Sequence, residues 1–420
     1  MSERHTVASM KDILEIQPDV FWIGALHPEL RVFDDLYPTK YGTTYNSYLI
    51  RGSEKVAIVD TVKERFSDRF LDKVKQLVDP AKIDYLIVNH TEPDHSGAIK
   101  LLLEHCPQAT VVSSPTAAGF LRNQLDVPFR SHAVKDREVL DLGGKHLRFF
   151  HAPFLHWPDT MFTLLEESGT LFTCDAFGAH YCGSGMFNDE APEAALVHEM
   201  EYYFDCLIRP FKDKVLSAID KIRNERIEVI CPSHGPVLRT DPMRAVRLYE
   251  RWSREATGAG GSAAPSENAK VVIFYLSPHG NTRRMADAVS EGATIPGVEV
   301  VRCRIEELSE SCTRDLMEQA DAFVFGAPTV NRDVPKPMWD VLARLSTVKL
   351  KTSIAGVFGS YGWSGEAPRM VEERLKGLRF KLPADFVRVP FTPGADAIAQ
   401  CRELGKAVAQ EALAQRRPAG

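Results

Sequence analysis

The sequence predicts an α+β domain of two packed sheets followed by an α/β domain built on a doubly wound parallel sheet. Three observations predict this. Residues 253–268 concentrate Gly, Ala and Ser between two segments of periodic apolar residues, the composition of a flexible connector. Beyond them, strand-like and helix-like segments alternate five times. Before them, apolar strands repeatedly run into a His or an Asp. The domains are accordingly placed at residues 1–252 and 269–420, with 253–268 as the linker, and 420 residues suffice for two separate cores.

In the first domain, residues 20–26, 43–50 and 55–60 read as strands ahead of the first clear helix, residues 66–78. Four later strands, within 82–90, 146–153, 169–176 and 227–234, end on ligand-type side chains. Two packed sheets would gather those ends on one rim. In the second domain the expected order is strand 271–276, helix 281–293, strand 298–305, a helical stretch, strand 321–329, helix 335–345, strand 352–362, helix 366–378, strand 386–390 and a last amphipathic helix.

Composition narrows the function classes. A hydrophobic fraction of 44% and a charged fraction of 26% are those of a globular protein. The net charge of -6, with no Lys/Arg stripe interleaved with aromatics, argues against nucleic acid. No apolar run approaches the ~20 residues that span a bilayer, and the first ten residues lack the core of a secretory signal, so no membrane and a cytoplasmic location are expected. The eight cysteines form no Cys-x-x-Cys pair, which argues against a rubredoxin-type iron centre, a zinc ribbon or a thioredoxin-like motif.

The strongest chemical signal is the run His90, Glu92, Asp94, His95, in which four ligand-type residues fall within six positions directly after a strand. His156, Asp175 and His234 stand at three further strand ends. Singly, such residues are as readily caps or satisfied polar groups. Together, four imidazoles and three carboxylates form a donor set for two neighbouring metal ions. Phe154, Leu155, Trp157, Met161 and Phe177 would either line a dry pocket or pack a core. His27, His151 and His180 lie near these segments, where they would either line the pocket or relay protons, or be core or surface residues; they are left outside the ligand set.

In the second domain, Ser277, His279, Gly280, Asn281 and Thr282 occupy the turn from the first strand into the first helix, where an anion meets free N–H groups and the positive end of a helix dipole. Two later loops, with Pro328, Thr329, Val330 and Asn331, then Ser360, Tyr361, Gly362 and Trp363, stand at the ends of strands whose carboxyl ends converge on one crevice. Gly326, Gly359 and Gly362 would admit a planar ring, and Tyr361 or Trp363 would cover it. Pro278 removes one backbone donor from the phosphate cradle. No Gly-x-Gly-x-x-Gly fingerprint follows a strand, so direct pyridine-nucleotide binding is unsupported.

The His-x-Glu-x-Asp-His loop with the later His156, Asp175 and His234, followed by three flavin-type loops, resembles the flavodiiron proteins over about residues 13–410. The resemblance implies a metallo-β-lactamase-like αββα sandwich followed by a flavodoxin-like domain. It implies flavin mononucleotide (FMN) and a non-haem pair of irons as cofactors. His90, Glu92 and His156 would hold one iron, Asp94, His95 and His234 the other, and Asp175 would bridge them. The implied activity is reduction of dioxygen to water, of nitric oxide to nitrous oxide, or of both. The implied electron donor is a rubredoxin-like protein, its reductase or a reduced deazaflavin. The implied assembly is a head-to-tail homodimer or a dimer of dimers. The related zinc hydrolases carry His-x-His-x-Asp-His, so Glu92 separates this reading from the alternative, a dizinc hydrolase with an appended flavodoxin module. Three carboxylates leave about +1 on a diferrous pair and about +3 on a diferric one, ligation that suits a metal which must change oxidation state.

Overall fold

The structure is a computed structural model that describes residues 13–254 and 268–416. The chain divides into two compact units, Met1–Ser253 and Arg254–Gly420. Most of the expected linker, residues 255–267, lies outside the described residues.

The first unit is organised by side-chain alternation along its strands. Its seven-stranded sheet runs Leu14–Gln17, Val20–Trp22, Tyr48–Arg51, Val56–Val59, Tyr85–Val88, Thr110–Ser113, Arg130–Ala133. A five-stranded sheet runs Val139–Asp141, His146–His151, Met161–Leu165, Thr170–Cys174, Val229–Pro232. Successive residues point to opposite faces. Ile50, Val59, Ile87 and Val112 therefore face inward and pack on Leu147, Phe149, Met161 and Phe172 of the other sheet. Their neighbours Leu49, Ile58, Leu86 and Val111 face outward and bury Phe70, Val74, Leu102 and Leu121 of the helices Ser67–Leu77, Ile99–His105 and Pro115–Gln124. On the far side Phe150, Phe162, Leu171 and Ile230 cover Leu196, Ile219 and Tyr249 of Glu193–Tyr203, Lys212–Ile222 and Met243–Arg254. The order helix, sheet, sheet, helix is the αββα sandwich, with one core between the sheets and one under each helical layer.

Two expected strands are each broken in two. Residues 20–26 become Val20–Trp22, which pairs in the large sheet, and Ala25–His27, which pairs only with Thr43–Tyr45. The break falls at Gly24, where a Cβ would strike the Tyr45 carbonyl oxygen. Residues 43–50 break at Asn46 and Ser47. The Asn46 amide accepts from Trp22 Nε1 at 2.9 Å and donates to the carbonyls of Pro232 and Gly235, each at 2.8 Å. These bonds tie the break to the loop that carries His234.

The second unit has a five-stranded sheet, every pairing parallel, in the order Val298–Arg304, Ala269–Tyr275, Ala322–Gly326, Ala355–Tyr361, Val387–Pro390. Val271, Ile273 and Val324 face Asn281–Ala293 and Ala395–Arg416, while Val272, Phe274 and Phe325 face Glu310–Gln319, Lys336–Arg344 and Ala367–Gly377. Helices on both faces and the strand order 2-1-3-4-5 make this a flavodoxin-like doubly wound fold, as expected. Among the described residues no helix is long and apolar enough to cross a membrane.

Candidate metal centre and flavin crevice

The ligand-type residues of the first unit sit where its strands stop. Tyr85–Val88 ends two residues before His90, and Pro93 opens the short turn Pro93–Ser96 that turns Asp94 and His95 inward. Asp175 follows Thr170–Cys174, and His234 follows Val229–Pro232. His156 lies in the loop between His146–His151 and Met161–Leu165.

All seven predicted residues come together, in two groups. The ligand atoms of His90, Glu92, His156 and Asp175 lie within 4.8 Å of one another, as do those of Asp94, His95 and His234. Glu92 Oε2 stands 3.2 Å from His90 Nε2 and 3.1 Å from His156 Nε2. Asp94 Oδ2 stands 3.1 Å from His234 Nε2, and Asp94 Oδ1 3.3 Å from His95 Nε2. Asp175 faces both groups. Its Oδ2 is 3.5 and 3.6 Å from the Nε2 atoms of His90 and His156, its Oδ1 3.0 and 3.6 Å from those of His95 and His234.

The chemistry of this cluster calls for cations. Both carboxylate oxygens of Asp94 and of Asp175, and both ring nitrogens of His95, are buried and make no hydrogen bond. Unsatisfied buried acceptors of this kind each cost on the order of 1–3 kcal/mol or more. At His90, His95, Glu92 and Asp175 burial disfavours charge, yet the charges hold one another. His95 is carried up to about 9, against burial, by the carboxylates of Asp94 and Asp175. His90 is likewise raised well above the ordinary imidazole range against burial, by hydrogen bonds to Asp159 and Glu92 and by the charge of Asp175. Glu92 and Asp175 are held below the ordinary carboxylate range, again against burial, by the surrounding imidazoles. The carboxylates that favour positive charge on His90 and His95 would equally favour a cation at Nε2, and a metal there would displace any proton.

Sequence reasoning missed several neighbours. Asp159, fully buried, accepts from His90 Nδ1 at 3.2 Å. The Thr44 carbonyl lies 2.6 Å from His234 Nδ1. Cys174 Sγ lies within 4.8 Å of ligand atoms of His95 and Asp175. Burial and the charge of Asp175 keep that thiol protonated. No local spacing marks any of the three. The expected apolar lining divides: Trp157 stands edge-on to His90 at 5.1 Å, whereas Met161 and Phe177 are core residues. Phe154, at φ 68°, is instead 38% exposed and stacks on Phe211. Of the histidines left outside the ligand set, His151 is pinned to the Val134 carbonyl. His180 is buried beside His234, their ring centroids 5.2 Å apart. Burial and the nearby His234 lower it well below the ordinary range.

In the second unit the three predicted loops leave adjacent strands and are linked. Thr282 Oγ1 and Ser360 Oγ lie 2.8 Å apart, and Thr329 N donates to Ser360 O at 2.9 Å. Gly280, at φ 82°, turns the chain into the helix Asn281–Ala293, and Ser277 Oγ accepts from Arg283 N at 2.9 Å. Gly326 and Gly359 are already required by packing, since a Cβ would meet the Phe358 ring and the Ala327 carbonyl oxygen. Trp363 is 71% exposed with the Arg332 guanidinium 5.3 Å above its ring, and Val330 is 47% exposed. A fourth loop joins them. Phe391, 66% exposed, follows the strand Val387–Pro390 and donates its N–H to Tyr361 O at 2.7 Å. Exposed apolar groups gathered at the carboxyl ends of a doubly wound sheet mark a ligand or partner surface.

Comparison with known proteins agrees with both halves. The family model described as ODP family beta lactamase matches residues 43–235, and the flavodoxin model matches residues 273–405. The chain is 39% identical over 407 residues to the type A flavoprotein fprA of Rhodobacter capsulatus, covering 96% of this chain and 92% of that one. It is 37% identical to the flavo-diiron protein FprA2 of Clostridium acetobutylicum, covering 94% and 98%. With the nitric oxide reductase of Moorella thermoacetica the identity is 36%, covering 95% and 99%. The solved structure of the rubredoxin oxygen:oxidoreductase of Desulfovibrio gigas superposes with a TM-score of 0.67 at 29% identity, covering 96% and 99%. These matches, spanning both units in the same order, do not favour the hydrolase alternative. The chain belongs to the flavodiiron protein family and is an oxidoreductase.

Proposed function

We propose that this chain reduces dioxygen, nitric oxide or both. In this reading His90, Glu92 and His156 would hold one iron, Asp94, His95 and His234 would hold the second, and Asp175, which faces both groups, would serve the two. The loops 277–282, 328–331 and 360–363 hold FMN. When bound, the flavin supplies two electrons and the iron pair two more, enough to take dioxygen to water, while two suffice to couple nitric oxide to nitrous oxide. The observation that carries the reading is the position of Asp175, one oxygen turned to each imidazole pair.

The protein's own residues do the rest. Glu92, Asp94 and Asp175 offset positive charge at the rim, Trp157 limits water beside His90, and His180, kept neutral, leaves an uncharged wall near His234. Such a pocket favours a small neutral gas over a charged substrate. In the second unit Gly280 turns the chain into the helix Asn281–Ala293, whose first N–H groups would meet a phosphate, and the exposed Trp363 would cover the flavin ring. The names of two relatives, a nitric oxide reductase and a rubredoxin oxygen:oxidoreductase, support both gases as substrates. The finer parts of the proposal are a rubredoxin-like protein, its reductase or a reduced deazaflavin as donor, a head-to-tail homodimer or dimer of dimers, and a cytoplasmic location.

The test is metal and flavin analysis of protein prepared with and without air, followed by dioxygen and nitric oxide consumption by the chemically reduced enzyme. About two irons and one FMN per chain, with turnover of at least one gas, are expected. Predominant zinc in both preparations, or a chain that cannot be loaded with flavin, would falsify the proposal.

A further inference from the structure

The two candidate ligand groups have matching donors. Each contributes two imidazoles and one carboxylate of its own, and each receives one oxygen of Asp175. Behind the imidazoles they differ. His90 Nδ1 faces both oxygens of a carboxylate, Asp159, at 3.2 Å. His234 Nδ1 faces a neutral carbonyl, that of Thr44, at 2.6 Å. His95 Nδ1 makes no hydrogen bond.

Asp159 is also held in place. It is fully buried, its Oδ2 accepts from Thr91 N and Thr91 Oγ1, both at 2.8 Å, and its backbone carbonyl accepts from Ser114 Oγ at 2.7 Å. An ionised carboxylate only accepts, so the proton of a neutral His90 must sit on Nδ1 and the Nε2 lone pair must point at Glu92 and Asp175. The negative charge behind the ring also makes Nε2 the stronger donor. A backbone carbonyl sets the tautomer of His234 in the same way but adds no full charge.

We propose that Asp159 is a positioning residue that fixes the tautomer of His90 and makes the His90, Glu92, His156 group the tighter of two metal subsites. This rests on the diiron reading above. Asp159→Asn keeps the shape. With its oxygen kept on the Thr91 N–H, however, the amide turns an N–H toward His90 Nδ1 and favours the tautomer that cannot bind metal, the known consequence of removing the acid behind an imidazole.

The experiment equilibrates the reduced full-length protein, without air, against a graded ferrous-iron buffer and counts bound iron. Wild type should fill in two steps. Asp159→Asn should weaken the tighter step by roughly 10–100-fold and move the weaker one by less than about twofold. Thr91→Val, which removes one bond to Asp159 and leaves the Asp159–His90 contact, should preserve both steps. An unchanged tighter step in Asp159→Asn overturns the proposal. So does an equal weakening of both steps, the mark of a merely structural role. A second measurement does not depend on the variant folding: wild type loaded with one iron per chain is located by anomalous diffraction. Iron at His90, Glu92 and His156 supports the ranking, and iron at the other group or spread over both overturns it. A wild type that binds no pair of irons overturns the diiron reading itself, and the ranking with it.

Discussion

The rim of the two-sheet unit and the crevice of the parallel-sheet unit occupy the same kind of place, the carboxyl ends of strands, but they are built in opposite ways. At the rim, charged groups are buried against one another, and Asp94, Asp175 and His95 are left without hydrogen bonds. At the crevice, the loops hold one another through Thr282, Thr329 and Ser360, while Trp363, Val330 and Phe391 stand exposed. A site for cations must exclude water to keep its carboxylates strong, and so it depends on each side chain. A site for a large planar cofactor depends on backbone N–H groups and apolar faces, so each side chain matters less. The contrast predicts unequal sensitivity to mutation.

The severest break is to divide the chain. A fragment spanning residues 269–420 carries the complete five-stranded sheet, and both helical layers that cover it pack on its own strands. It should fold and bind FMN alone, while residues 1–252 should bind iron and lose all flavin-driven turnover. Flavin copurifying with the first fragment, by absorbance at equal protein, would assign the crevice to the wrong half.

Next in size is Asp175→Ala. Removing one buried charge from a paired set costs roughly 3–5 kcal/mol, two to four powers of ten in affinity. Because Asp175 faces both groups, iron content and gas reduction should collapse together with FMN content unchanged. Near-normal iron in this variant would show that Asp175 does not bridge.

Glu92→His should be milder, since one imidazole replaces one carboxylate within a single group. A unit charge about 4 Å away is worth roughly 4 kcal/mol at an effective dielectric near 20, which bounds the shift between oxidation states at about a thousandfold. The expected result is a raised iron potential, slower dioxygen turnover and a larger zinc fraction at equal metal supply. Native potential and native metal selectivity would separate the carboxylate at 92 from redox function.

How far each region was legible in the sequence follows from the same contrast. The run from His90 to His95 was readable because four donors share one turn, and Asp175 and His234 because each follows directly on an apolar strand; His156, expected at a strand end, lies instead within the loop after His146–His151. Asp159 was not. In sequence it is the Asp of an ordinary Pro-Asp turn, and only the stacking of the two sheets brings it to a histidine 69 positions earlier. Phe391 escaped for a different reason: its strand was expected at residues 386–390, but the loop after it carries no phosphate-type or ring-admitting signal, and only the parallel pairing with Ala355–Tyr361 sets Phe391 against the Tyr361 carbonyl. The breaks at Gly24 and Asn46 also depend on contacts made across the fold rather than along it. Strand alternation carried the layers; register and reach carried the rest.

The smallest expected effect sharpens the comparison from the flavin side. Trp363 is the most exposed large apolar residue on the crevice loops, and the Arg332 guanidinium over its ring holds it there at little cost in burial. Stacking on a flavin would supply the burial that the ring otherwise lacks, worth roughly 0.5–1.5 kcal/mol beyond area for an aromatic pair. Trp363→Ala should therefore weaken FMN retention by no more than about tenfold, measured by dialysis against apo-protein of known concentration. Because the loop bonds from Thr282 and Thr329 to Ser360 remain, the fold and the iron content should not change. Complete loss of flavin would mean that this one ring carries the crevice, and the two regions would then be built alike. An unchanged affinity would mean that Trp363 covers nothing, and that flavin retention rests on the backbone and the buried loop bonds alone.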